Sequence, residues 1–204
     1  MEKYSRIKAL ISLDAIRYNF EQMKKNIKEG TKIIAVIKAD AYGHGAVPIA
    51  RMLEEFDYIW GFAAATAQEA LQLRKAGITR PILILGLVFE EYYKKLAEND
   101  VRMAVCDYET ARKFNKAAEA AGKKGLIHLA ADTGMTRIGF KDREESLEEI
   151  RRIAALPNVE IEGLFTHFAR ADEYDRTPAM VQLKRYLDFA DLLEKNGIHI
   201  PLHH

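Results

Sequence analysis

The chain has 204 residues, 49% hydrophobic and 30% charged, and its 31 basic and 30 acidic side chains leave a formal net charge of +1. That length can bury the core of one large domain or of one and a half, and the balanced charge speaks against nucleic acid or an anionic membrane surface as a partner. No stretch resembles a signal peptide or approaches the ~20 apolar residues of a membrane span, so the cytoplasm is the expected compartment.

Residues 5–11, Ser-Arg-Ile-Lys-Ala-Leu-Ile, read as a strand, which gives a short N-terminal segment over 1–11 ahead of a main domain over 12–204. Ser12 then opens a helix with Ile16, Phe20, Met23 and Ile27 as its apolar stripe. The first buried strand follows at Ile33–Ile37 and ends on Lys38, inside the stretch AVIKADAYGHG. Further apolar runs lie at Tyr58–Ala64, Ile82–Leu85, Val101–Val105, Leu126–Ala130 and Val159–Phe165, and a last one begins near His199. Between them, Thr66-Ala-Gln-Glu69 is a capping box whose helix stops at Gly77. Cys106, the single cysteine, follows Ala104 and Val105 and reads as a buried, inert thiol. Asp107 caps a helix that ends before Gly122. Thr177 and Pro178 open the longest helix, with Met180, Leu183, Leu187, Ala190 and Leu193 on one face and Gly197 at its end.

The strand starts are spaced about 20 to 40 residues apart, the size of a βα unit rather than of a hairpin. Near-continuous apolar strands of this kind belong to a parallel sheet covered on both faces. A doubly wound sheet and a (β/α)₈ barrel both fit, but no G-x-G-x-x-G follows the first strand, which favours the barrel. Such barrels run to about 250 residues and eight strands. The expectation is therefore an α/β, TIM-type (β/α)₈ barrel, truncated in or before its seventh βα unit.

In such a barrel the chemistry gathers at the C-terminal strand ends. Lys38 ends the first strand, Asp132-Thr-Gly-Met-Thr-Arg137 follows the fifth, and Phe165-Thr-His167 ends the sixth. Each has an ordinary reading: a snorkelling lysine, a surface arginine after a turn, a satisfied core histidine. Together they put a lysine, an arginine and a histidine on one rim. Asp132-Thr-Gly also matches the aspartic-protease triplet, but that chemistry needs two carboxylates sharing a proton on an all-β scaffold. His44, His167 and Asp172 lack a paired metal-ligand spacing, so no metal site is expected. His128 falls inside a strand run and points into the barrel wall or toward a helix.

The stretches AVIKADAYGHGA (Ala35–Ala46), HLAADTGMTRIGF (His128–Phe140) and GLFTHFARADE (Gly163–Glu173) resemble, in order and spacing, the bacterial alanine racemases, pyridoxal-phosphate enzymes of fold type III. The resemblance implies that Lys38 forms the internal aldimine with pyridoxal 5'-phosphate and carries a proton on one face of the substrate. It implies that Tyr42 bonds the cofactor phosphate, that His167 lies beside the pyridine ring, and that Arg137 contacts the phenolic oxygen and the substrate carboxylate. A lysine is a poor nucleophile at neutral pH until desolvation or a nearby cation lowers its pKa from roughly 10.4. One position departs from the pattern. Many family members place a carbamylated lysine where this chain has Ala130, and a methyl group cannot brace Arg137.

The resemblance further implies a small amino-acid substrate, a homodimer, and a role in D-alanine supply for cell-wall biosynthesis. It assigns the remainder of the phosphate loop, and a β-rich domain with a second catalytic base, to segments outside this sequence. The N-terminal strand would pair with that domain. Alone, the chain is then expected to be an inactive fragment. Three alternatives stay open: a serine or broad-specificity racemase, a non-catalytic barrel that binds pyridoxal phosphate, and a scaffold with no ligand.

Overall fold

Strand and helix alternate along the described residues of the computed structural model, 8–204. Helix α1 (Leu13–Lys25) leads into β1 (Ile33–Val36), a turn α2 (Lys38–Gly43) and α3 (Ala46–Leu53). There follow β2 (Ile59–Ala64), α4 (Ala67–Lys75), β3 (Ile82–Ile84), α5 (Tyr93–Glu98), β4 (Val101–Val105) and α6 (Tyr108–Ala120). The last part runs β5 (Gly125–Asp132), β6 (Phe140–Lys141), α7 (Leu147–Ala154), β7 (Val159–Thr166), α8 (Thr177–Lys195) and β8 (Leu202–His203). All pairings are parallel, in the order β1-β2-β3-β4-β5-β7-β8, with the short β6 beside β5. The sheet curls into a half-barrel, as expected of a truncated TIM-type barrel.

The period of two along each strand separates the two faces of the sheet. Phe62 and Ala64, Ile82 and Ile84, Met103 and Val105, Ile127 and Leu129, and Leu164 join the main core beneath the helices. Burying each of the larger side chains contributes roughly 1.5–3 kcal/mol. The alternate residues Ala104, Ala130 and Phe165, with Leu85, form a separate small cluster on the other, concave face. That face also carries the polar side chains described below.

The helix ends follow their sequence signals. Thr66 accepts from the Glu69 backbone N–H in a full capping box, and Asp107 accepts from the Thr110 N–H at 2.7 Å. The faces of two helices differ from the expected stripes. In α8 the buried residues are Gln182, Tyr186, Phe189 and Leu193, whereas Met180 and Leu187 are exposed. In α1 no residue is fully buried; Ile16 and Phe20 pack on the core, but Met23 faces solvent. Of the N-terminal strand expected over 1–11, residues 1–7 lie outside the described residues, and residues 8–11 form no regular element. No described helix is long and apolar enough to cross a membrane.

Candidate active site

The mouth of β1 is built by an uncommon piece of backbone. The Ile37 N–H donates to Ala63 O at 2.9 Å and keeps the chain on β2 up to the residue before Lys38. The next four residues, Ala39, Asp40, Ala41 and Tyr42, then adopt left-handed helical angles, with φ of 49°, 53°, 53° and 55°. None is glycine, and each such residue costs roughly 1–2 kcal/mol. Backbone of this kind persists where surrounding contacts over-determine it. Here the Ala41 N–H donates to Ile37 O at 2.9 Å and the Gly45 N–H to Asp40 O at 2.8 Å. The Asp40 carboxylate accepts the Ala46 N–H at 2.7 Å, and Glu69 accepts the Ala39 N–H at 2.8 Å. His44 Nδ1 lies 3.0 Å from Ala41 O; a carbonyl only accepts, so this nitrogen carries the proton. Gly45, at φ 91°, then turns the chain into α3. The turn leaves Lys38 on the wall of a cavity, while Tyr42, 61% exposed, does not line it.

Two loops bring the other side chains to the rim. After β5, the Asp132 carboxylate accepts the N–H groups of Gly134 and Thr136, which folds the loop back and sets Arg137 beside the cavity. After β7 comes His167. A directional chain of hydrogen bonds ties the two loops to α8. The Thr166 hydroxyl donates to Ala131 O at 2.9 Å, so the Thr133 hydroxyl is the donor in its 2.8 Å contact with Thr166 Oγ1. The buried Gln182 amide donates to Thr133 Oγ1 and to His167 O, and its oxygen accepts the Ala169 N–H. Every polar atom of Gln182 is therefore used.

The cavity these elements enclose measures about 370 Å³, a size that suits a small ligand. Its walls include Ala63, Leu85, Ala130 and Phe165 from the concave face, and its charged lining is Lys32, Lys38 and Arg137, with His167 and His204. No carboxylate is among the described residues that line it. Burial lowers the pKa of His167, and the neighbouring Arg137 and Lys38 cations lower it further, so the ring is held neutral. Arg137 is exposed, and no side chain among the described residues hydrogen-bonds it; buried Ala130 offers only its methyl group. The lining is cationic and apolar, with two primary amines, those of Lys32 and Lys38, and it suits an anion. Lys38, Arg137 and His167 meet there, as their strand-end positions suggested; Tyr42 stands apart on its turn.

Below the cavity lies a polar ladder that spacing in the sequence does not reveal. His128 is fully buried and takes the position facing Gly163 on β7. A Cβ at Gly163 would sit 2.4 Å from His128 Nδ1, so this glycine makes room for the ring. His128 Nε2 donates to Glu162 at 3.0 Å, and Arg102 donates to the same carboxylate through two nitrogens at 2.9 and 3.0 Å. His128 Nδ1 lies 2.8 Å from His204 Nε2, and the His204 ring stacks on Phe165 at the cavity wall. Burial, and then the neighbouring His128 and His203, push the pKa of His204 down to about 3, so it too is neutral. Cys106 is half-buried beside Asp107, and burial pushes its thiol up, away from the reactive thiolate.

Known proteins are similar to this chain in architecture and sequence. An alanine racemase of Methanococcus maripaludis is 42% identical over 196 residues, which cover 96% of this chain and 52% of that relative. The solved alanine racemase of Clostridium difficile 630 in complex with cycloserine superposes with a TM-score of 0.92 at 42% identity, covering 95% of this chain and 53% of that one. A histidine racemase from Leuconostoc mesenteroides superposes with a TM-score of 0.81 at 27% identity, covering 95% of this chain and 51% of that one. The chain thus spans about half the length of the relatives it matches. The family model for the alanine racemase N-terminal domain matches residues 11–204, and the chain belongs to that family.

Proposed function

We propose that the chain is the barrel part of a pyridoxal-phosphate-dependent racemase that interconverts L-alanine and D-alanine. One observation carries the reading: the cavity joins an amine, a guanidinium and a neutral imidazole at three strand ends, with no carboxylate among the described lining residues. Pyridoxal phosphate fits that donor set, because it offers a phosphate dianion, a phenolic oxygen and an aldehyde on one flat ring. In this assignment Lys38 holds the aldehyde carbon, Arg137 the phenolic oxygen and the substrate carboxylate, and His167 the flank of the ring. Tyr42, on the left-handed turn outside the cavity lining, is assigned to the phosphate. When bound, the cofactor supplies an electron sink for the pair left at the α-carbon as its proton departs.

The chain's own residues then divide the work. With the cofactor bound, Lys38 Nζ would take the α-proton on one face and return it. The planar fork of Arg137 fixes the carboxylate and so keeps the α-hydrogen directed at one face or the other. A neutral His167 packs beside the ring without adding a third cation to the carboxylate's side. Ala63, Leu85 and Phe165 exclude water and strengthen each of these contacts.

Racemisation needs a proton donor on the opposite face as well. Among the described residues no tyrosine, cysteine or carboxylate lines the cavity. In this reading the second donor is a tyrosine of the other subunit in a homodimer of the full-length racemase. The enzyme works in the cytoplasm, and its product serves cell-wall synthesis. The likeness to a histidine racemase favours a second reading in which another amino acid is the substrate. A panel of L-amino acids offered to the full-length protein separates the two.

The test is reductive trapping. Incubation with pyridoxal phosphate, borohydride reduction, digestion and mass spectrometry are expected to give one dominant adduct, on Lys38, that Lys38→Ala abolishes. Adducts scattered over surface lysines, or none, would refute the assignment.

A further inference from the structure

Glu69 sits at the third position of α4 and does more than its capping box requires. In that box one of its oxygens, Oε2, accepts the Thr66 N–H at 3.2 Å, and the same oxygen also takes the Ala65 N–H at 2.8 Å. Its second oxygen, Oε1, reaches across to another βα loop and accepts the Ala39 N–H at 2.8 Å. Ala39 directly follows Lys38 and is the first of the four left-handed residues. On the other side of Lys38, the Ile37 N–H is held by Ala63 O. The backbone of the lysine is therefore pinned on both flanks, on one side by the β2 strand and on the other by a carboxylate.

We infer that Glu69 is a positioning residue for Lys38: its carboxylate holds the left-handed turn that presents the lysine amine to the cavity. This rests on the reading that Lys38 carries the cofactor. The argument is one of donors and acceptors. Three N–H groups converge on this side chain from two loops, and only an ionised carboxylate accepts on both of its oxygens. A glutamine has one accepting oxygen and one donating NH₂. It can satisfy Ala39 or the Ala65–Thr66 pair, and at the other it sets a donor against a donor. If it keeps the helix cap, the turn after Lys38 loses its hold from the neighbouring loop.

The experiment compares rates of borohydride trapping of pyridoxal phosphate on Lys38 in the intact chain, quantified against adducts on surface lysines. Glu69→Gln is expected to slow Lys38 trapping at least tenfold and to leave the surface adducts unchanged. Thr66→Ala removes the hydroxyl half of the same capping box but leaves the Ala39–Glu69 bond, and is expected to trap within twofold of the wild type. Glycine occupies positive φ without strain, so Ala39→Gly placed in the Glu69→Gln background is expected to restore part of the lost rate. A glycine at 39 does nothing for the cap of α4, so that rescue separates positioning from helix stability. Trapping within twofold in Glu69→Gln, or equal losses in Glu69→Gln and Thr66→Ala, overturns the inference while Lys38 remains the site. A wild-type chain with no Lys38 adduct overturns the cofactor reading and this inference with it.

Discussion

Burial alone would push the Glu162 carboxyl up, yet the hydrogen bonds from His128 and Arg102 outweigh it and hold its pKa down at about 2. The ion pair is well covered, with side-chain exposures of 13% for Arg102 and 17% for Glu162. A carboxyl whose folded pKa lies below its unfolded value contributes stability above the unfolded pKa, near 4.5, and loses it as the pH falls toward about 2. His204 acts in the same direction: neutral in the fold and depressed to about 3, it opposes folding increasingly as the pH drops below about 6.5. Denaturant titrations at a series of pH values are expected to show stability falling steeply below pH 5, with Glu162 contributing on the order of 3 kcal/mol of the loss. Glu162→Gln is expected to be less stable at pH 7, because it strands the Arg102 charge, and to show a shallower acid slope. The residues proposed to carry the chemistry, Lys38, Arg137 and His167, were legible because each sits in a distinctive stretch at or just past a strand end. Glu69 was legible only as a cap of α4, and Gln182 and Glu162 not at all. Their partners lie 30, 49 and 34 residues away along the chain, at separations that only the folded sheet closes.

Among the secondary-structure elements, α8 ties the candidate site to the scaffold. Its Gln182 links the loop after β5, through Thr133, to the loop after β7, through His167 and Ala169. Gln182→Leu keeps the volume but leaves the Ala169 N–H without its acceptor. Such a loss costs about 1–3 kcal/mol, so a lower melting temperature is expected, together with weaker Lys38 trapping as the His167 loop loosens. Calorimetry and the trapping assay read the two effects separately. Most elements matched their sequence signals, since capping boxes, terminal glycines and apolar runs are local. The inward face of α8 was misread because its key position is polar: a stripe drawn through Met180, Leu183 and Leu187 passes over Gln182 and Tyr186. Strand β6, two residues long and paired with the end of β5, has no local signature at all.

The whole molecule is a curved parallel sheet with β1 at one edge and β8 at the other, and no further strand pairs with either edge among the described residues. The cavity opens beside both: Ile34 and Val36 of β1 and His204, just past β8, share its wall. Edges of this kind invite pairing with other chains. The 204-residue chain by itself is therefore expected to associate in solution and, in the proposed reading where Lys38 serves one face only, to turn over L-alanine at least 100-fold more slowly than a full-length relative. Light scattering and a coupled racemase assay check both. Turnover matching the full-length enzyme would mean that residues already described supply the second donor.

Amino-acid order alone settled the parallel βα alternation and the strand-end positions of Lys38, Arg137 and His167, because periodicity, caps and motif stretches are properties of neighbouring residues. The left-handed turn after Lys38, the Glu69 bond that crosses to it, the Gln182 tie and the Glu162–His128–His204 ladder were decided by tertiary structure. Each depends on donors and acceptors from strands, loops and helices distant in sequence, which meet only once the folded sheet brings them together.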